Sequence, residues 1–260
     1  NGAIGIEITG NQEETSTIED NIIIGKVQVA NSAVIDMHHN LITTSNGGLE
    51  IHDMAGGHFY NNTFVGAGSG TGLHIHDFDL GQSGQTLKVE NNIFSGFDIG
   101  VNVENEITSI RFNNIDNSST SDFTGAGLPG NFGVMGQENN NGDDCDAQYN
   151  MYLDPQFVYP DAGNYNLLLG SPAIDAGHVD LDQDGDNWQI DSDDQDPDGT
   201  ALDIGAFYRS INDTSDVFGC TDSIACNYIP GATQDNGGCT YETTWYWDGD
   251  GDGLGVEESQ

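Results

Sequence analysis

An asparagine returns at one place in a short pattern five times in the first half of the chain: Asn21 (IEDNII), Asn40 (MHHNLI), Asn62 (FYNNTF), Asn92 (VENNIF) and Asn114 (RFNNID). An apolar residue stands three positions earlier in four cases (Ile18, Met37, Phe59, Val89), and Arg111 is the exception. A second phrase alternates with the first: Gly-Ile-Glu-Ile from Gly5, Val-Gln-Val from Val27, Gly-Leu-Glu-Ile from Gly48, Gly-Leu-His-Ile from Gly72 and Gly-Val-Asn-Val from Gly100. Short alternating strands recurring every roughly twenty to thirty residues cannot bury a face alone and must stack on their neighbours. The pattern predicts an all-β parallel β-helix, a solenoid, over residues 1–120.

Within each phrase the apolar residues lie two apart: Ile6/Ile8, Val27/Val29, Leu49/Ile51, Leu73/Ile75, Val101/Val103. Alternate side chains of a strand face opposite ways, so these pairs point into the core. Phe64 and Phe94, two residues after their asparagines, are expected to form an aromatic step in a second column with Ile23 and Ile42. At a tight corner an Asn amide both donates and accepts, so Asn21, Asn40, Asn62, Asn92 and Asn114 are expected to form a hydrogen-bonded ladder. Gly25, Gly66 and Gly96, just past the corners, suit a backbone turning with positive φ. The longest loop is expected at Asp77–Gln85.

The chain carries 43 acidic residues against 4 basic ones, a net charge of -39 over 260 residues. Phosphate recognition needs Lys and Arg, so no nucleic-acid partner is expected and anionic membrane surfaces are poor partners, while divalent cations are favoured. No apolar run approaches bilayer length. Three of the four cysteines, Cys220, Cys226 and Cys239, cluster, with Cys145 apart; the clustering predicts a disulfide in an oxidising compartment, its connectivity open. Asn1-Gly2-Ala3-Ile4 reads as the inside of a coil and Gln260 interrupts a repeat, so the chain is expected to belong to a longer polypeptide.

The N-N-x-[IF]-x-G corners over residues 1–120 resemble those of the right-handed parallel β-helix family common among secreted bacterial proteins. That fold hosts polysaccharide lyases, glycosidases, adhesins and inert spacers alike. Residues 121–148 read as an irregular last coil. From 149 to 209 four ordered phrases, Asp154-Pro155-Gln156-Phe157, Tyr165-Asn166-Leu167, Ser171-Pro172-Ala173-Ile174-Asp175-Ala176-Gly177 and Asp203-Ile204-Gly205-Ala206-Phe207-Tyr208, resemble the closing segment called the choice-of-anchor Q domain. The third suggests a helix-like start capped by Ser171. Residues 217–241, with Cys220, Cys226 and Cys239 in place, are similar to the GCTDxxACNY repeat of surface proteins exported by marine Bacteroidota-like bacteria. The resemblances imply a secreted or bacterial cell-surface location.

Asp180, Asp182 and Asp184, then Gly185, Asp186 and Asp191, reproduce the ligand spacing of an EF-hand or dockerin-type calcium loop. Asp194, Asp196 and Asp198 repeat its first half. Asp248, Asp250 and Asp252, within 242–260, resemble a truncated Asp-Gly metal-binding repeat; carboxylates without a soft ligand favour calcium.

Outward positions of the recurring strand form two columns: Glu7, Gln28, Glu50, His74, Asn102, and Thr9, Ala30, His52, His76, Glu104. His52, His74 and His76, with Asp53, Asp77 and Asp79 nearby, are the solenoid's candidate chemical cluster, with Glu104 the carboxylate of its column. A lyase or glycoside hydrolase would use such groups to move a proton. A lyase also needs a basic subsite, and Lys26, Lys88 and Arg111 lie off these columns. The leading expectation is a non-catalytic, calcium-binding module for adhesion, contact with polysaccharide or cell-surface glycan, or structural display; the alternative is a polysaccharide lyase or glycoside hydrolase.

Overall fold

The computed structural model describes residues 4–10, 14–78, 85–192, 194–210, 218–229, 232, 234–235 and 237–241. The chain divides into two compact units, 1–212 and 213–260. The first begins with five turns of three short strands: β1 (Ile4–Thr9), β2 (Thr15–Glu19), β3 (Ile22–Ile24); β4 (Lys26–Ala30), β5 (Val34–His38), β6 (Leu41–Thr43); β7 (Leu49–Ile51), β8 (Gly56–Tyr60), β9 (Thr63–Val65); β10 (Thr71–Ile75), β11 (Leu87–Glu90), β12 (Ile93–Ser95); β13 (Ile99–Val103), β14 (Ser109–Arg111), β15 (Asn114–Asp116). β16 (Ser121–Thr124) adds to the first sheet. Three parallel sheets result, ordered β1-β4-β7-β10-β13-β16, β2-β5-β8-β11-β14 and β3-β6-β9-β12-β15. This is a β-solenoid.

The registers stack like on like. Val27, Leu49, Leu73 and Val101 form one inner column, and Val29, Ile51, Ile75 and Val103 the next. Ile18, Met37, Phe59, Val89 and Ile110 line the second sheet. Ile23, Ile42, Phe64, Phe94 and Ile115 line the third, with the two Phe rings stacked at 4.9 Å. That aromatic step is worth about 0.5–1.5 kcal/mol beyond its burial.

Asparagine side chains form a continuous ladder at the corner between the second and third sheets. Asn21 donates to Asn40 Oδ1, Asn40 to Asn62, Asn62 to Asn92, Asn92 to Asn113 and Asn113 to Asn150, each through backbone N and Nδ2 at 2.9–3.1 Å. The fifth rung is therefore Asn113, and not Asn114 as the sequence pattern suggested. Asn114 opens β15 opposite Ile93, because Ile115 is the residue that continues the Phe94 column. A sixth rung, Asn150, ends on the buried carboxylate of Asp146, which also accepts from Gly133 N and the Tyr152 hydroxyl.

The residue before every rung is left-handed: Asp20, His39, Asn61, Asn91, Phe112 and Tyr149 have φ between 49° and 62°. Aspartate and asparagine visit this region readily; for the aromatic residues it costs about 1–2 kcal/mol each, which the ladder bonds offset. Of the corner glycines, Gly25 and Gly96 have positive φ but Gly66 does not. Gly66 is required by space: a Cβ there would lie 2.4 Å from Gly96 O.

Residues 121–152 close the last turn, where Phe123, Leu128, Phe132 and Tyr152 pack on the solenoid core. They include the short antiparallel pair β17 (Gln137–Glu138) and β18 (Asp144–Cys145). A second pair follows, β19 (Phe157–Tyr159) and β20 (Asn164–Leu167), joined by a single 3-10 turn at Pro160–Ala162. Ser171 Oγ accepts from Ala173 N at 3.1 Å, but the chain makes only a turn there and no helix.

Residues 173–178 and 203–206 then lie along the outer side of the third sheet as a strap. Ala173, Ile174, Ala176 and Ile204 form a second apolar cluster with Ile93, Cys145, Met151 and Leu167. Asn61 Nδ2 donates to Asp203 O, Gly205 N to Asn91 O, His178 N to Asn91 Oδ1, and Ala206 N to Thr63 Oγ1, at 2.8–2.9 Å. Cys145 is consumed as core packing here and forms no disulfide.

The second unit contains β21 (Phe218–Gly219) paired with β22 (Gln234–Asp235) and the disulfide Cys220–Cys239. Cys226 is exposed and free, so of the four candidate cysteines only Cys220 and Cys239 pair. Tyr241 donates to Asp222 at 2.8 Å. Among the described residues no helix is long and apolar enough to cross a membrane.

Candidate functional site

The first sheet's outward face carries the polar columns. Glu7, Gln28, Glu50, His74 and Asn102 are paired in register from strand to strand. On three adjacent strands this builds a patch two side chains deep: Glu50 and His52, His74 and His76, Asn102 and Glu104. The His52 and His76 rings stack at 4.1 Å, and His74 lies 3.6 Å from His76 between ring centres. His74 Nε2 is 2.9 Å from both Glu104 Oε1 and Asn102 Nδ2. His76 Nδ1 is 3.7 Å from the same Glu104 oxygen, while its Nε2 is buried with no hydrogen-bond partner among the described residues.

Burial, then the neighbouring His74 and His52, holds the His76 imidazole below its ordinary value. Burial pushes Glu50 upward, but the Lys26 ammonium on Oε2 at 2.5 Å and His52 on the same oxygen at 3.3 Å outweigh it, leaving Glu50 ionised. The hydrogen bond from His74 lowers Glu104. Asp53 and Asp77 meet through a bond from Asp53 N to Asp77 Oδ1 at 2.6 Å and stand apart from the imidazoles' hydrogen bonds. Asp79 lies outside the described residues.

The carboxylates of the aspartate-rich segment gather in two groups. Asp180 and Asp182 gather with Asp194, whereas Asp184, Asp186 and Asp191 form a separate exposed group. Asp182 and Asp184 each accept the amide two residues on, and left-handed turns at Gln183 and Gly185 divide the loop. Asp194, from the second half-motif, accepts Leu181 N at 2.7 Å and so completes the first group. Asp198 bonds Thr200 instead.

Asp196 joins Asp175 and Asp203 in a third group that sequence spacing did not indicate, since 28 residues separate Asp175 from Asp203. Asp196 and Asp203 are buried, and burial raises both carboxyls; the Asp196 charge raises Asp203 further. Asp175 Oδ1 is buried without a partner. Two carboxyls facing each other out of water need a proton or a cation between them, and the orphaned oxygen fits a hard cation. Asp248, Asp250 and Asp252 lie outside the described residues.

A cleft of about 510 Å³ opens beside the last turn, lined by Arg111, Phe112, Glu138, Gln148, Tyr149 and His178. Phe112 and Tyr149 stack at 4.9 Å and 4°, and His178 meets Phe112 edge-on at 4.7 Å. Tyr149 is 37% exposed. His178 Nδ1 and Gln148 Oε1 are buried without hydrogen bonds among the described residues. Burial, then the Arg111 charge, pushes His178 down to about 4. The sequence carried one signal of this site: Arg111 and Phe112 stand where other corners have an acidic, histidine, tyrosine or asparagine residue.

The class defined by these features is a β-solenoid with a strapped side and polar outward rows. No protein-family model matches the chain, and no curated protein or solved structure matches it.

Proposed function

We propose that the chain is a non-catalytic, calcium-stabilised module that contacts carbohydrate on a secreted or cell-surface protein. The cleft carries this reading. A partly exposed tyrosine ring in a cleft lined by the polar residues Arg111, Glu138 and Gln148 suits a sugar, which presents an apolar ring face and a rim of hydroxyl groups. The outward rows, about 4.8 Å from strand to strand, offer a regular polymer a regular set of polar groups. The phrases resembling the choice-of-anchor Q segment and the GCTDxxACNY repeat support an exported location. Asp175, Asp196 and Asp203, with the Asp180 group beside them, are the residues that would hold calcium, which would replace the shared proton and stabilise the strap.

A second reading, a lyase or glycoside hydrolase, is favoured by one contact, His74 Nε2 to the exposed Glu104 at 2.9 Å. One experiment separates the two. Neutral and acidic polysaccharides are titrated into the chain with calcium and with chelator, while reducing ends and unsaturated products are followed. Retention of a polysaccharide, lost in Tyr149→Ala and weakened by chelator, is expected without turnover. Binding unchanged in Tyr149→Ala, or no binding at all, sinks the proposal; turnover abolished by His74→Ala moves the function to the first sheet.

A further inference from the structure

We propose that Glu50, His74 and His76 form a binding site for a divalent transition-metal ion of the zinc type, separate from the aspartate groups and independent of the carbohydrate reading. Parallel pairing sets His74 directly beside Glu50 on the neighbouring strand, and the two-residue period puts His76 on the same outward face as His74. One ligand atom from each of the three lies within 4.8 Å of the others. Two imidazoles and a carboxylate are a borderline donor set that prefers zinc, nickel or copper to calcium or magnesium. Three protein ligands leave a fourth position for water.

The surroundings prepare the ligands. Glu104 Oε1 hydrogen-bonds His74 Nε2 at 2.9 Å, while His76 Nδ1 lies 3.7 Å from it, beyond hydrogen-bond reach. A carboxylate behind an imidazole holds the proton on the near nitrogen and leaves the lone pair on the other. In His76, Nε2 is buried and has no hydrogen-bond partner among the described residues, so it is open to a ligand role. The His52 ring, stacked on His76, fixes its plane. Lys26 engages Glu50 Oε2 together with His52, so Oε1 is the oxygen left to coordinate. A lone histidine pair on a surface would lack this supporting shell.

The test uses the full chain freed of metal by chelator and returned to buffer with excess calcium, so that the carboxylate groups are saturated. Zinc is titrated calorimetrically and cobalt(II) is followed by its visible absorption. One equivalent of zinc is expected, with the cobalt spectrum of a low-coordinate nitrogen–oxygen site. His74→Ala and His76→Ala should each weaken zinc by well over tenfold, and Glu104→Gln by about tenfold with the stoichiometry kept. His38→Ala and His58→Ala, on the second sheet, should leave it unchanged. Circular dichroism checks that each variant is folded, and Glu50→Gln repeats the test without deleting a ring. Zinc uptake abolished by excess calcium, or unchanged in His74→Ala and His76→Ala, would overturn the proposal.

Discussion

One carboxamide per corner satisfies several backbone groups at once. Asn62 Oδ1 accepts both nitrogens of Asn40, while its Nδ2 donates to Met37 O, Tyr60 O and Asn92 Oδ1. Asn62→Ala leaves those groups buried and unpaired, at a cost of about 1–3 kcal/mol. Denaturant melts measure this, and a neutral outcome would remove the ladder as a source of stability. The same rung logic explains why Asn114 was the wrong choice from sequence. At Asn61-Asn62 and Asn91-Asn92 the first asparagine takes the left-handed position and the second is the rung. In Phe112-Asn113-Asn114 a phenylalanine takes that position, so the rung is the first asparagine. The periodicity was there to be read: Ile110 lies three before Asn113, which makes the Arg111 exception vanish. Asn150 was not legible, because 37 residues separate it from Asn113.

At the scale of elements, the strands were legible because every turn buries alternate residues, whereas the strap was not. Its apolar side chains are few, and its partners Asn61, Asn91 and Thr63 look like ordinary corner residues. The calcium motif likewise fixed which residues are acidic but not which meet, since the turns at Gln183 and Gly185 decide the grouping. Two groups make the strap and the second sheet sensitive to acid. Burial alone would raise Glu90, but hydrogen bonds from His58 and Ser109 and the Arg111 charge bring it down to about 2 from an ordinary 4.5. Its contribution, about 3 kcal/mol, is present above pH 4.5 and lost as pH falls from there towards 2. His178, held down at about 4 from 6.5, is neutral in the fold, so its environment favours folding above pH 6.5 and loses that advantage between 6.5 and 4. Urea melts across pH should therefore weaken in two stages. Glu90→Gln should flatten the lower stage and His178→Asn the upper; identical slopes in the variants would contradict the assignment.

Over the whole molecule, a net charge of -39 sets like charges against one another at every scale. Screening relieves that repulsion over a Debye length of about 8–10 Å near physiological salt. The melting temperature should rise when sodium chloride is raised from a few millimolar to physiological strength, and a flat response would mean that paired or cation-bound carboxylates already cancel the repulsion. The strap also divides the solenoid mechanically. Its bonds reach Asn61 and Thr63 in the third turn and Asn91 in the fourth, and His178 touches Phe112 in the fifth. Under a pull along the stacking axis the strand hydrogen bonds bear tension in series, and an unclipped turn peels off by itself. Successive rungs in the early turns are 19 and 22 residues apart, so each release pays out roughly 60–75 Å of chain. Among the described residues none of these strap bonds reaches the first two turns, which are therefore expected to yield first, in soft steps. The later three are fastened in parallel by the strap and hold until it tears away. A pulled solenoid unit should therefore give way unevenly, its early turns compliant and its later ones stiff.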